Sequence, residues 1–174
     1  MNISWTWLPR ERRRLRARAK PRAIQYRATG FMGQSDKVRV LFVCIGNACR
    51  SPMGEAIARK EATDVIEPSS AGLYPLGMIP EMTRKTLEAN GYPTDSIASK
   101  GLRGFSPIDA DLIVNMSGFE LPRGFSGHEN VEEWGVADPY GEDHAIYQKI
   151  LEDIQGRVRE LAQRLRESRR TNGE

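Results

Sequence analysis

A thiol, a guanidinium and a hydroxyl stand close together in the stretch Cys44-Ile45-Gly46-Asn47-Ala48-Cys49-Arg50-Ser51. The apolar run VRVLFV precedes Cys44, and Pro52 follows Ser51. A loop of this length between a strand and a helix start can curl so that its backbone N–H groups bind an anion, with the helix dipole behind them. Gly46 permits a close turn, and Asn47 tolerates a left-handed conformation better than most residues. Arg50 offers a planar fork that matches two oxygens of a phosphate. The same positive surroundings favour the thiolate form of Cys44. A thiolate at the floor of an oxyanion cradle suits nucleophilic attack on phosphorus. Alone, Cys44 reads as an inert buried thiol and Arg50 as a solvated helix-start residue. Their spacing, with Ser51-Pro52 behind them, favours the chemical reading.

Asp138 is the second candidate. An aryl phosphate needs a proton on its leaving oxygen, and a carboxyl group can supply it. Pro139 stiffens the turn that presents this carboxyl. Asp-Pro is also an ordinary turn pair, so the case depends on the Cys44 loop upstream. His128 and His144 read as loop and helix-start residues without a catalytic part. Two histidines and two cysteines are too few for an ordinary structural zinc site, so no metal is expected.

These groups need elements to position them. Val38 to Val43 reads as a buried strand that ends at the Cys44 loop. Ser51 is placed as an N-cap with Pro52 at the first helical position, opening a helix to about Glu61. A weaker strand follows over Asp64 to Ala71. Pro80 to Asn90 reads as a helix closed by Gly91. A short helix or turn precedes Ala110, a third strand covers Asp111 to Met116, and a short fourth covers Val131 to Val136. The clearest helix carries Ile146, Ile150, Leu151, Ile154, Val158, Leu161 and Leu165 at three- and four-residue steps, with Gly156 as a weak point. Strands alternating with helices predict an α/β fold: a single domain with a four-stranded, mostly parallel sheet flanked by helices. Ligands of such sheets bind at the C-terminal edge, where the Cys44 loop leaves the first strand.

Charge divides the chain of 174 residues in two. Residues 1–37 hold ten Lys or Arg against two acids, a balance of +8, while 38–174 hold 16 basic and 21 acidic residues, a balance of −5. The net +3 therefore describes the leader and not the body. Residues 1–37 are expected to form a basic, disordered extension, and 38–174 the folded domain. The apolar stretch Ile3 to Leu8 precedes the arginines, the wrong order for a secretory signal. An Arg-rich leader fits an organellar transit peptide, or a tether to nucleic acid or an anionic membrane. It equally fits an unstructured tail, or a stretch upstream of a start at Met32. With 39% apolar and 28% charged residues and no run long enough to span a bilayer, a soluble cytoplasmic domain is expected.

The segment VLFVCIGNACRSPMGEA resembles the signature of the low-molecular-weight protein tyrosine phosphatases. Ser70-Ala71-Gly72, the strand Asp111–Met116, and Trp134 before Asp138-Pro139-Tyr140 match in order, so the resemblance covers about Val38 to Arg166. It implies a two-step reaction without metal or cofactor. By position, Cys44 would form a phosphocysteine, and Arg50 with the amides of Ile45, Gly46, Asn47, Ala48 and Cys49 would hold the phosphoryl oxygens. Ser51 would donate to the sulfur, Asn47 would shape the loop, and Asp138 would act as acid and then as base. Tyr74 and Tyr140 would wall the substrate cleft, although partly buried surface tyrosines are an equal reading. The family's second tyrosine after Tyr140 is absent, because Gly141-Glu142-Asp143 follows. Cys49 either packs beneath the loop or condenses with oxidised Cys44 as a redox partner; the resemblance favours the second. The implied partners are a phosphotyrosine protein or other aryl phosphate, with inorganic phosphate or arsenate as competing oxyanions.

Three other readings share this loop. Thioredoxin-linked arsenate reductases resemble it, but relay a disulfide through further cysteines, and this chain has none beyond Cys49. Protein arginine phosphatases share SPM-x-EA but favour threonine where Ala48 stands. A non-catalytic phosphate- or nucleic-acid-binding module would have to work through the leader, since the body is acidic.

Overall fold

The computed structural model describes residues 37–172, so the expectations for the leader at 1–36 lie outside the described residues. The first strand, β1 (Val38–Cys44), has β-branched and aromatic residues buried on both sides. Val40, Phe42 and Cys44 enter one core, Leu41 and Val43 the other, as the two-residue period of a strand requires. The sheet continues with β2 (Ile66–Gly72), β3 (Leu112–Asn115) and β4 (Val131–Glu133), in the order β2-β1-β3-β4 with every pairing parallel. Register sets Cys44 opposite Gly72 and Val43 opposite Asn115, so the strand ends align at one edge.

Three helices, α1 (Arg50–Glu61), α2 (Glu81–Ala89) and α3 (His144–Asn172), supply the larger core around Phe42, Met53, Ile57, Leu87, Leu151 and Ile154. No helix contributes to the second core among the described residues. Two single 3₁₀ turns, Leu102–Gly104 and Pro107–Asp109, and loop residues such as Leu121 and Phe125 cover that face instead. Trp134, just beyond β4, sets its ring edge-on to Phe42 at 6.0 Å between centroids.

Several boundaries depart from the sequence reading. The helix after the loop starts at Arg50, its N-cap residue is Cys49, and no side chain caps it. Ser51 lies inside the first turn, where its hydroxyl serves the thiol described below. The second strand begins at Ile66, because Thr63–Val65 form the turn out of α1. The fourth strand stops at Glu133. The last helix continues past Leu165 to Asn172, where Arg166 and Arg169 reach back to Asp64.

Candidate active site

The loop from Cys44 to Arg50 is stitched to the next segment by backbone bonds. Leu73 N donates to Cys44 O at 3.0 Å, Tyr74 N to Ile45 O at 2.8 Å, and Leu76 N to Gly46 O at 2.8 Å. In a trans peptide the N–H points opposite to the C=O. The amides of Ile45, Gly46 and Asn47 are therefore left for the concave side of the loop. Asn47 is the one non-glycine with positive φ (44°) among the described residues. Its fully buried side chain holds that conformation. Nδ2 donates to Ser51 Oγ and to Ser70 Oγ, each at 2.9 Å, and Oδ1 accepts Lys100 N at 2.6 Å.

Cys44 ends β1 with its side chain buried at the loop floor. Ser51 Oγ lies 3.0 Å from Cys44 Sγ, placed to donate to a thiolate, and 3.2 Å from Ala71 O. Arg50 enters the cleft from the first turn of α1 and is 4% exposed. Nη1 donates to Met116 O at 2.6 Å and Val136 O at 3.3 Å, beyond β3 and β4. Nη2 pairs with Asp138 Oδ2 at 2.5 Å. Nε is buried with no hydrogen-bond partner. An unsatisfied guanidinium N–H in a buried position is costly unless an acceptor fills it. The site thus has a donor in reserve beside the loop amides.

Asp138 arrives from the loop after β4, half-exposed, and its Oδ1 accepts Tyr140 N at 3.2 Å. That short turn holds the carboxyl at the cleft mouth. Cys44, Arg50, Asp138, Tyr74 and Tyr140 line one cleft of about 220 Å³, together with Ile45, Gly46, Ala48, Cys49 and Leu76. Tyr74 and Tyr140 are largely exposed at its rim. Cys49 is buried, its Sγ 3.5 Å from Tyr147 Oη on α3. Burial pushes its thiol pKa up. Both cysteines are free thiols. His128 Nε2 lies 2.9 Å from Ala110 O and Nδ1 accepts Asn130 N at 3.1 Å, and His144 opens α3. Among the described residues, no group of three or more His, Cys, Asp or Glu is arranged to hold a metal ion.

Sequence reasoning missed a support behind the loop. Ser70 Oγ donates to Glu55, a carboxylate with 1% side-chain exposure that also pairs with Arg59 and, at 3.2 Å, with Lys100 Nζ. Two cations and a hydroxyl offset the cost of burying that charge. A chain of contacts therefore runs from Glu55 through Ser70, Asn47 and Ser51 to the Cys44 sulfur. Lys100 closes it twice, by its amide on Asn47 and its ammonium on Glu55. Leu76 was missed as well. Lys100 and Leu76 belong to no motif, and only the fold brings them to the site.

Known proteins share this arrangement of elements. The chain is 31% identical to low molecular weight protein-tyrosine phosphatase A of Mycobacterium tuberculosis, across 70% of this chain and 87% of that protein. It is 29% identical to arsenate reductase 1 of Bacillus cereus, across 74% and 96%. The crystal structure of a low molecular weight protein tyrosine phosphatase from T. tengcongensis superposes with a TM-score of 0.66 at 28% identity, covering 74% of this chain and all of that one. The family model of low molecular weight phosphotyrosine protein phosphatases matches residues 39–171, and the chain belongs to that family.

Proposed function

We propose that the protein hydrolyses phosphotyrosine and other aryl phosphate monoesters through a phosphocysteine. The observation that carries this reading is the buried Arg50 guanidinium, with Nε unpartnered, in one cleft with the Cys44 sulfur and the Asp138 carboxyl. Arg50 and the loop amides bind the equatorial phosphoryl oxygens and match the charge that spreads over them during transfer. Cys44 Sγ forms the S–P bond as the phenolic oxygen leaves, and Asp138 delivers the proton that oxygen needs. In the second step Asp138 takes a proton from water. The water oxygen attacks phosphorus, and the thiolate departs with the Ser51 hydroxyl donating to it. Inorganic phosphate, or arsenate in its place, occupies the same cradle as a competing oxyanion.

Two features favour hydrolysis over arsenate reduction: a carboxyl group stands at the mouth, and no cysteine follows Cys49 to carry a disulfide outward. Ala48 in the cleft lining supplies no hydroxyl, which favours phosphotyrosine over phosphoarginine. The test compares a phosphotyrosine peptide, a phosphoarginine peptide and arsenate with thiol reductant on the full chain. Hydrolysis should be fastest with phosphotyrosine. Cys44→Ser should abolish it yet keep phosphate affinity, because Arg50 and the amides remain. Turnover by Cys44→Ser, or faster consumption of either other substrate, would overturn the reading.

A further inference from the structure

The cleft has two unlike walls above its phosphate cradle. One is the segment 73–80, Leu-Tyr-Pro-Leu-Gly-Met-Ile-Pro, without a charged residue. Tyr74, Leu76 and Met78 stand 78%, 46% and 61% exposed on it. The three backbone bonds to the Cys44 loop hold the start of this wall in place, and Ser99 extends the hold by accepting Gly77 N and donating to Gly46 O, both at 3.1 Å. An exposed apolar strip fixed beside a reactive site is a contact surface. The facing wall carries Asp138 and Tyr140, and Glu142 and Asp143 follow in the same loop. Asp138 is engaged by Arg50, and Asp143 Oδ1 caps α3 by accepting Ile146 N at 3.0 Å. Glu142 is exposed between them.

Apart from the buried Arg50, the loops 45–49, 73–80 and 137–143 that supply the cleft lining contain three acids and no Lys or Arg. Lys100, whose backbone reaches the Cys44 loop, places its ammonium on Glu55 behind it. The cradle therefore supplies positive charge only at its floor, where the phosphoryl group goes. Anything bonded to that group meets an apolar wall on one side and a negative rim on the other. A segment rich in acids beside its phosphorylated residue would meet repulsion here.

We infer that the cleft selects phosphotyrosine segments by their flanks: an apolar side chain against Tyr74, Leu76 and Met78, and a Lys or Arg facing Glu142. The inference rests on the phosphoryl cradle proposed above and names the substrate class for it. Three labelled phosphotyrosine peptides test it, with Leu and Lys, with Ala, or with Glu beside the phosphotyrosine. Their affinity for full-length Cys44→Ser protein is read at about 0.05 M and about 1 M salt, where the Debye length falls to ~3 Å. At low salt the Leu/Lys peptide should bind about twofold to twentyfold tighter than the Glu peptide, the range for exchanging one exposed attraction for one repulsion. High salt should shrink this ratio, and Glu142→Lys should remove or reverse it. Equal affinities, tighter binding of the Glu peptide, or no binding of any peptide would overturn the inference. Wild-type kcat/KM on the same peptides separates it from the earlier reading. Hydrolysis indifferent to the flanks sinks the selectivity alone. Flank-dependent binding without hydrolysis sinks the phosphatase assignment and leaves the selectivity standing.

Discussion

Replacing Gly72 with alanine should damage the site from behind. Gly72 ends β2 opposite Cys44, and its φ is not positive, so its conformation does not demand glycine. Proximity does. A Cβ there would lie 2.7 Å from Asn47 N, 2.9 Å from Gly46 C and 2.9 Å from Ile45 O. Ordinary carbon contacts begin near ~3.5 Å, so the shortfall is about 0.6 Å or more. All three atoms are backbone and cannot rotate aside. The loop is also tied by Leu73, Tyr74 and Leu76, so strand or loop must shift as a body. Overpacking of this kind costs about 1–3 kcal/mol of stability. The shift moves the Gly46 and Asn47 amides relative to the Cys44 sulfur. Since a misplacement of about 1 Å costs ~10²-fold in rate, a loss of about tenfold or more in kcat/KM is expected. The assay pairs aryl phosphate kinetics and phosphate inhibition with urea unfolding. Gly135→Ala serves as the control, since a Cβ there meets nothing within 4 Å. If Gly72→Ala matches wild type in rate, phosphate affinity and stability, the loop is not held as tightly as argued.

Asp138→Asn should slow hydrolysis of poor leaving groups by roughly 10²–10⁴, with a smaller loss for good leaving groups that need less protonation; an equal loss for both would mark a structural role. Mild peroxide followed by thiol should inactivate and then restore wild type, with a Cys44–Cys49 linkage seen by mass spectrometry. Cys49→Ser should recover less completely; recovery equal to wild type would remove Cys49 as protector of the nucleophile. Burial raises the Glu61 carboxyl, but hydrogen bonds from Arg159, Tyr92 and Gln155 outweigh it and hold the group down at about 2. A depressed carboxyl stabilises the fold above its unfolded value of about 4.5, and that contribution fades as pH falls toward 2. Glu61→Gln should therefore flatten the acid limb of stability between those values in pH-dependent unfolding, while an unchanged limb would show that other groups govern it.

Legibility followed the range of the interaction. The Cys44–Ser51 loop was readable because its chemistry is local: a strand end, a glycine, an asparagine able to turn left-handed, an arginine and a helix start within eight residues. The alternation of strands and helices gave the parallel sheet for the same reason. Local reasoning misled at Ser51, where a Ser-Pro pair reads as an N-cap. In the fold its hydroxyl faces Cys44 Sγ, a contact across the loop that capping preference does not describe. The apolar period of α3 runs only to Leu165, while the helix continues to Asn172. The last turns are anchored by Arg166 and Arg169 on Asp64, a hundred residues away in sequence. Lys100 gave no signal, since alone it reads as an ordinary surface charge, and Glu55 stood in the signature segment without anything local to show that it is buried behind the loop.

The Arg50–Asp138 pair unites the two halves of the proposed reaction. Arg50 arrives on the first turn of α1 and Asp138 on the loop after β4, and they satisfy each other through Nη2 and Oδ2 at 2.5 Å. Nη1 is anchored on the carbonyls of Met116 and Val136, so the guanidinium is held from the sheet side and cannot follow Asp138 outward. A phosphoryl group in the cradle presents oxygens both to the unpartnered Nε and to Nη2. The second contact competes directly with Asp138. Binding then exchanges one carboxylate for one phosphoryl oxygen on the same donor. It leaves the Asp138 carboxyl, still held by Tyr140 N, facing the departing oxygen rather than Arg50. On this argument, removing the carboxylate frees Nη2 for phosphate. Asp138→Asn should lose rate yet bind phosphate more tightly, read as a lower inhibition constant. If phosphate affinity stayed at the wild-type value, the competition on Nη2 would have no part in binding.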